Sequence, residues 1–116
     1  DSSCWIEYLR DTPRAELFAS AAENPEQLIV PVVTIYEVTK KLHREISPKI
    51  AAYAEALMCR GRVIDFDLQL CRAAITTALP LADSLIYATA QIHGAVLWTQ
   101  DQHFEGLAGV NYFSKN

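Results

Sequence analysis

Three short apolar runs constrain the fold of this chain most: Leu28-Ile29-Val30, Val63-Ile64 with Phe66, and Val96-Leu97-Trp98. Each is short enough for a buried strand, and Pro31 ends the first. The stretches between them are too long for hairpin turns and carry helical spacing instead. Strands that alternate with helices pair in parallel and need helices over their faces. The expected class is therefore α/β, with a mainly parallel central sheet. At 116 residues, 51% of them hydrophobic, residues 1–116 have room for a single domain with one real core.

Punctuation along the chain divides it further. Ser2 or Ser3 is expected to cap a short helix running to Arg10, and Pro13 to open a helix over 14–22. Residues 32–45 read as a helix with Ile35, Val38 and Leu42 on one face and Glu37, Lys40, Lys41 and Arg44 on the other. Pro48 opens a helix over about 49–60, and Gly61 reads as its stop signal. Helices are expected over 67–78, before Pro80, and over 82–93, before Gly94. Val110, Tyr112 and Phe113 read as a last, edge strand. A sheet of this type also calls for a strand leading into the first helix, so a short apolar strand is expected upstream of Asp1.

Bulk properties narrow the function. A net charge of −4 argues against holding nucleic acid through a general positive field; a polyanion would have to be met by a local basic patch, by metal ions, or by both. No apolar run approaches the ~20 residues needed to cross a membrane. The cysteines Cys4, Cys59 and Cys71 are odd in number and form no C-x-x-C pair, which points to buried free thiols and a cytoplasmic location. Trp5 and Trp98 read as core residues.

Four acidic residues stand where strands end or helices begin. Asp1 precedes the first helix, Glu37 lies on the polar face of the helix after the first apolar run, Asp83 falls in the first turn of its helix, and Asp101 follows Val96-Leu97-Trp98 through Thr99 and Gln100. In open parallel sheets, ligands bind at the carboxyl ends of the strands. Gathered there, carboxylates repel one another unless a cation sits among them, and hard cations take oxygen ligands. Such a site can activate water against a phosphodiester.

At these residues the sequence resembles the PIN-domain family, and within it the VapC-like toxin ribonucleases of type II toxin–antitoxin pairs. The matching segments are D-S-S-C-W-I-E-Y-L at 1–9, P-V-V-T-I-Y-E-V at 31–38, L-A-D-S-L-I-Y-A-T-A at 81–90 and T-Q-D-Q-H-F at 99–104. The resemblance implies a three-layer α/β/α fold and endoribonuclease activity dependent on Mg²⁺ or Mn²⁺. It puts the catalytic acids on Asp1, Glu37, Asp83 and Asp101, with Asp1, Asp83 and Asp101 as metal ligands and Ser3 and Thr99 as accessory hydroxyls. It also implies a cognate antitoxin and a homodimer. The departure is at the front, where the family's first apolar strand does not appear.

Rival chemistries fit less well. Asp1-Ser2-Ser3 lacks the Asp-x-Asp of a haloacid-dehalogenase-like phosphatase, and no lysine stands at a strand end as a receiver domain requires. The glycines form no phosphate-cradling loop, and there is no G-x-S-x-G elbow. The alternatives that remain are a non-catalytic PIN-like binding module and a PIN nuclease outside toxin–antitoxin systems. Lys40, Lys41 and Arg44, flanking Glu37, and His103, two residues past Asp101, are the candidate RNA contacts. Trp5, Ile6, Tyr8, Leu9, Leu17 and Phe18 exceed what one buried stripe needs, so some are expected to line an exposed groove for the antitoxin.

Overall fold

Asp1, rather than Ser2 or Ser3, caps the first helix: its side chain accepts a hydrogen bond from the Ser3 amide, and helix α1 covers Ser2–Leu9. A carboxylate at this position satisfies one of the free amides of the first turn and complements the helix dipole. The computed structural model describes residues 1–115. Pro13, expected to open the second helix, sits instead in the preceding turn, and α2 is Glu16–Ala22. Strand β1, Ile29–Pro31, leads directly into α3, Val32–Glu45, which buries Thr34, Ile35, Val38 and Leu42 and leaves the charged face in solvent.

Helix α4, Pro48–Met58, is capped by the Ser47 hydroxyl, which accepts from the Ile50 amide, with Pro48 in the first turn. Strand β2, Arg62–Ile64, ends before Phe66, which is 51% exposed and outside the ladder. Helix α5 is Leu68–Ala74, shorter than the expected 67–78, with Asp67 as its cap. Helix α6, Leu81–Ile92, ends at His93 and Gly94, the latter at φ 61°, the left-handed stop that glycine supplies without penalty. Strands β3, Leu97–Thr99, and β4, Val110–Tyr112, complete the fold.

The strands are parallel, as expected, but they form two ladders rather than one sheet. β1 pairs with β2 in the register Val30 to Val63, and β3 pairs with β4 in the register Trp98 to Asn111. A cavity of about 510 Å³ lies between the ladders, lined by Ile29 and Pro31 on one side, Leu97 and Trp98 on the other, and Thr34 and Asp1. The Thr34 hydroxyl is buried there without a hydrogen-bond partner. The strand expected upstream of Asp1 lies outside the described residues.

Packing follows the apolar faces. Val30, Ile35, Val38, Leu42, Ala54 and Met58 form one cluster, with Trp5, Ile6 and Leu9 against it. Leu70, Ala74, Leu85 and Ala88 join α5 to α6, while Ile86, Ala90, Leu97 and Phe104 seat α6 on β3. The first helices thus turn inward more than expected. Phe18 is 3% exposed, Trp5, Tyr8 and Phe18 line the inner cavity, and of the six apolar residues proposed for a groove only Leu17 is well exposed. Trp5 and Trp98 are half-buried. Of the cysteines only Cys4 is buried; Cys59 is exposed and Cys71 half-buried, which corrects the expectation of three buried thiols. No helix among the described residues is long and apolar enough to cross a membrane.

Gly61 has a different role from the expected stop signal. It does not adopt positive φ; instead, a Cβ there would stand 2.9 Å from Val30 Cγ2 and 3.1 Å from Leu28 Cβ. Val30 is almost fully buried and cannot retreat. Gly61→Ala should therefore lower unfolding free energy by about 1–3 kcal/mol, the range for overpacking a core. Urea denaturation of the variant measures this, and an unchanged midpoint would mean that the close approach does not matter.

Candidate active site

The residues expected to carry chemistry come from four separate elements and meet at one cleft. Asp1 stands at the start of α1, Glu37 in the second turn of α3, Asp83 in the first turn of α6 and Asp101 just past β3, and all four border a cleft of about 710 Å³. β1 and β3 end at this level, so α3 and the β3–β4 connection both start there. The site therefore sits at the carboxyl ends of parallel strands, where open α/β sheets bind ligands.

Ser3 and Thr99 grip Asp1 from both sides. Ser3 Oγ donates to Asp1 Oδ1 at 2.6 Å, and Thr99 Oγ1 donates to Asp1 Oδ2 at 2.6 Å. Each hydroxyl also accepts a backbone amide from the segment after β3: Ser3 Oγ from Gln100 at 3.4 Å, and Thr99 Oγ1 from Asp101 at 2.9 Å. Thr99 is fully buried. Both expected accessory hydroxyls thus orient Asp1 and tie it to the backbone that carries Asp101. Charge-assisted bonds of this kind are short and strong. Each carboxylate oxygen keeps spare lone-pair capacity.

On the other side of the cleft, Asp83 Oδ2 lies 3.0 Å from His103 Nδ1, and Asp101 Oδ1 lies 3.2 Å from the same nitrogen. The His103 amide donates to Asp101 Oδ1 at 2.9 Å, so Asp101 caps the short helical turn at Gln102–Phe104. One donor atom from each of Asp83, Asp101 and His103 falls within a 4.8 Å group that could hold a metal ion. Asp1 and Glu37 border the same cleft without joining that group. Glu37 is exposed and accepts the Ser2 hydroxyl at 2.6 Å.

Lys40, Lys41 and Arg44 also line the cleft, beside Glu37, with Lys115. Lys40 Nζ lies 5.2 Å from the Tyr36 ring centroid. The three basic residues predicted from the wheel are thus at the rim of the acidic site rather than on a remote face. His103, expected to reach toward RNA, turns its Nδ1 to the two carboxylates.

Several contributors escaped the sequence reading. Ser2 holds Glu37, and Arg14 bonds Gln100 Oε1, pairs with Glu7 at 3.4 Å and reaches the Ser114 carbonyl at 3.0 Å. Glu7 and Gln100 border the cleft, so Arg14 braces its wall. The Ser2–Glu37 bond spans 35 positions and the Arg14–Gln100 bond 86. No local pattern marks them.

Electrostatics follow from this packing. Burial pushes the Asp83 carboxyl above the ordinary carboxylate range; the His103 bond opposes this, and the nearby Asp101 and Glu37 charges add to it. The Asp83 bond, reinforced by the Asp101 charge, raises the His103 ring above its usual value. Because the folded value is raised, the stability this histidine contributes is present below its ordinary pKa of about 6.5 and is lost as pH rises through the folded value. An NMR titration of the metal-free protein should place the His103 midpoint above about 6.5. Asp83→Asn should bring it down, and a midpoint that does not respond would dissociate the two groups.

The PIN domain family model matches residues 1–110. No curated protein matches the sequence. Among solved structures, a toxin–antitoxin complex from Klebsiella pneumoniae is similar at TM-score 0.81 and 22% identity, over 98% of this chain and 96% of that one. A DNA-bound VapBC from Salmonella typhimurium is similar at TM-score 0.70 and 20% identity, over 98% of this chain and 94% of that one. At these identities the likeness is one of fold. The family match spans the segments that supply Asp1, Glu37, Asp83 and Asp101, and the chain belongs to the PIN domain family.

Proposed function

We propose that this chain is a Mg²⁺- or Mn²⁺-dependent endoribonuclease that hydrolyses RNA phosphodiester bonds in the cytoplasm as the toxin of a type II toxin–antitoxin pair. The observation that carries the reading is the joint lining of one cleft by Asp1, Glu37, Asp83 and Asp101, with Lys40, Lys41 and Arg44 at its rim. Membership of the PIN family and a fold shared with toxin–antitoxin proteins support it. Carboxylate oxygens are the donor type that hard divalent cations take, so the residues present fit such a cation. Asp83 and Asp101 would hold it, with Asp1 as a further ligand. When bound, the ion supplies Lewis acidity toward a phosphate oxygen and makes water more acidic.

The chain's own residues divide the remaining work. Ser3 and Thr99 fix the Asp1 carboxylate, so little reorganisation is needed when substrate arrives. Glu37, held by Ser2 and open to solvent, orients the attacking water and accepts its proton. Lys40, Lys41 and Arg44 draw in the RNA backbone, which a chain of net charge −4 repels elsewhere. A cognate antitoxin and a second copy of the chain are the protein partners. Leu68, Ile75 and Leu81, each more than 60% exposed, are apolar surface available to them.

The acid set is tested on RNA with Mg²⁺ or Mn²⁺, with EDTA as control. Asp83→Asn should lower the cleavage rate by about a hundredfold or more while thermal unfolding stays cooperative. Wild-type cleavage by this variant would sink the assignment. The basic rim has a separate signature. Removing the charges of Lys40, Lys41 and Arg44 together should weaken binding of single-stranded RNA and reduce the slope of log affinity against log salt by about 2. An unaltered slope would mark these residues as a solvated helix face.

A further inference from the structure

Of the group Asp83, Asp101 and His103 beside the cleft, His103 is the member that offers nitrogen rather than oxygen. It follows Asp101 by two positions in the turn that Asp101 caps, and the bond from its amide to Asp101 Oδ1 fixes the backbone from which the ring projects. The ring is aimed inward: Nδ1, not Nε2, meets the acids, at 3.0 Å from Asp83 Oδ2 and 3.2 Å from Asp101 Oδ1. Donors on adjacent corners of an octahedron with bonds of about 2.1 Å stand about 3.0 Å apart. The two separations from Nδ1 match adjacent ligand positions, and the donor atoms of all three residues lie within 4.8 Å of one another. His103 is largely exposed and Asp83 and Asp101 are half-buried, so the open side of the group faces solvent, from which an ion would enter.

We propose that His103 is itself a ligand of the divalent cation, contributing Nδ1 beside Asp83 and Asp101, and that this nitrogen makes the site prefer Mn²⁺ or Co²⁺ to Mg²⁺. This rests on the metal-dependent reading above. The preference follows from donor chemistry: Mg²⁺ demands oxygen donors and keeps its waters, whereas imidazole binds first-row transition metals with affinity rising from Mn²⁺ to Co²⁺. Two carboxylates alone would leave little discrimination between Mg²⁺ and Mn²⁺. The opposite role is also chemically defined: a ring that serves only as counter-charge to the two acids would compete with the cation rather than bind it.

Calorimetric titration of Mn²⁺, Co²⁺ and Mg²⁺ into the metal-free chain, compared across the wild type, His103→Ala and Asp83→Asn, separates these cases. His103→Ala is expected to weaken Mn²⁺ and Co²⁺ by at least roughly tenfold and to leave Mg²⁺ nearly unchanged. Pulsed electron paramagnetic resonance of the Mn²⁺-loaded wild type should show coupling to a ring nitrogen that disappears in His103→Ala. Tighter binding of all three ions by His103→Ala would overturn the proposal in favour of a counter-charge. So would loss of Mn²⁺ binding in Asp83→Asn together with wild-type affinity and no nitrogen coupling for His103. If Asp83→Asn also binds Mn²⁺ like the wild type, the metal site as a whole fails, which is distinguishable from failure of the histidine alone.

Discussion

The carboxylate of Asp1 is the joint on which this site hangs. One of its oxygens takes the Ser3 hydroxyl from α1, and the other takes the Thr99 hydroxyl from the end of β3, across 98 positions of sequence. Both hydroxyls then accept amides from the segment that carries Asp101. The same carboxylate caps α1. A single side chain thereby sets the start of the first helix, the exit of the third strand and the spacing between two acids of the cleft. Networks of this kind stabilise only when every member is satisfied. Here both oxygens of Asp1 and both hydroxyls have partners.

Crowding acidic groups works against stability, and the fold manages it by location. Asp83 lies in the first turn of α6, where the helix dipole favours an anion, but burial raises its carboxyl and the neighbouring charges raise it further. His103 Nδ1 meets the two carboxylates from the open side, and Lys40, Lys41 and Arg44 stand along the rim. The acidic cluster thus has a basic edge.

Much of the architecture was legible because local signals agreed with the tertiary outcome. The period of Ile35, Val38 and Leu42 defined α3 over 32–45, and α3 is Val32–Glu45. Gly94 and Pro48 marked the end of α6 and the opening of α4 as expected. The errors cluster where a residue's role is decided by something distant. Gly61 resembled a helix stop, yet its small size is required by Val30 on the neighbouring strand. Ser2 and Ser3 resembled caps, yet their hydroxyls serve Glu37 and Asp1. The apolar surplus in the first two helices suggested an outer groove, yet Phe18 and Trp5 face the cavity between the ladders.

By itself, the sequence determined the α/β class, the order of the helices and strands, and the four acidic positions, together with the hydroxyls at Ser3 and Thr99. The class and the element order are properties of short-range spacing and residue type, which periodicity carries without three-dimensional information; the hydroxyls, and the reading of the four acids as one site, came with the resemblance to the PIN-domain family. The tertiary structure alone decided which of those groups touch. It joined Ser2 to Glu37 and Arg14 to Gln100, turned His103 Nδ1 onto Asp83 and Asp101, and divided the strands into two parallel ladders. Such contacts depend on how packed faces bring remote segments together, and a hydrogen bond of about 3 Å is set by that packing, not by any local pattern in the chain.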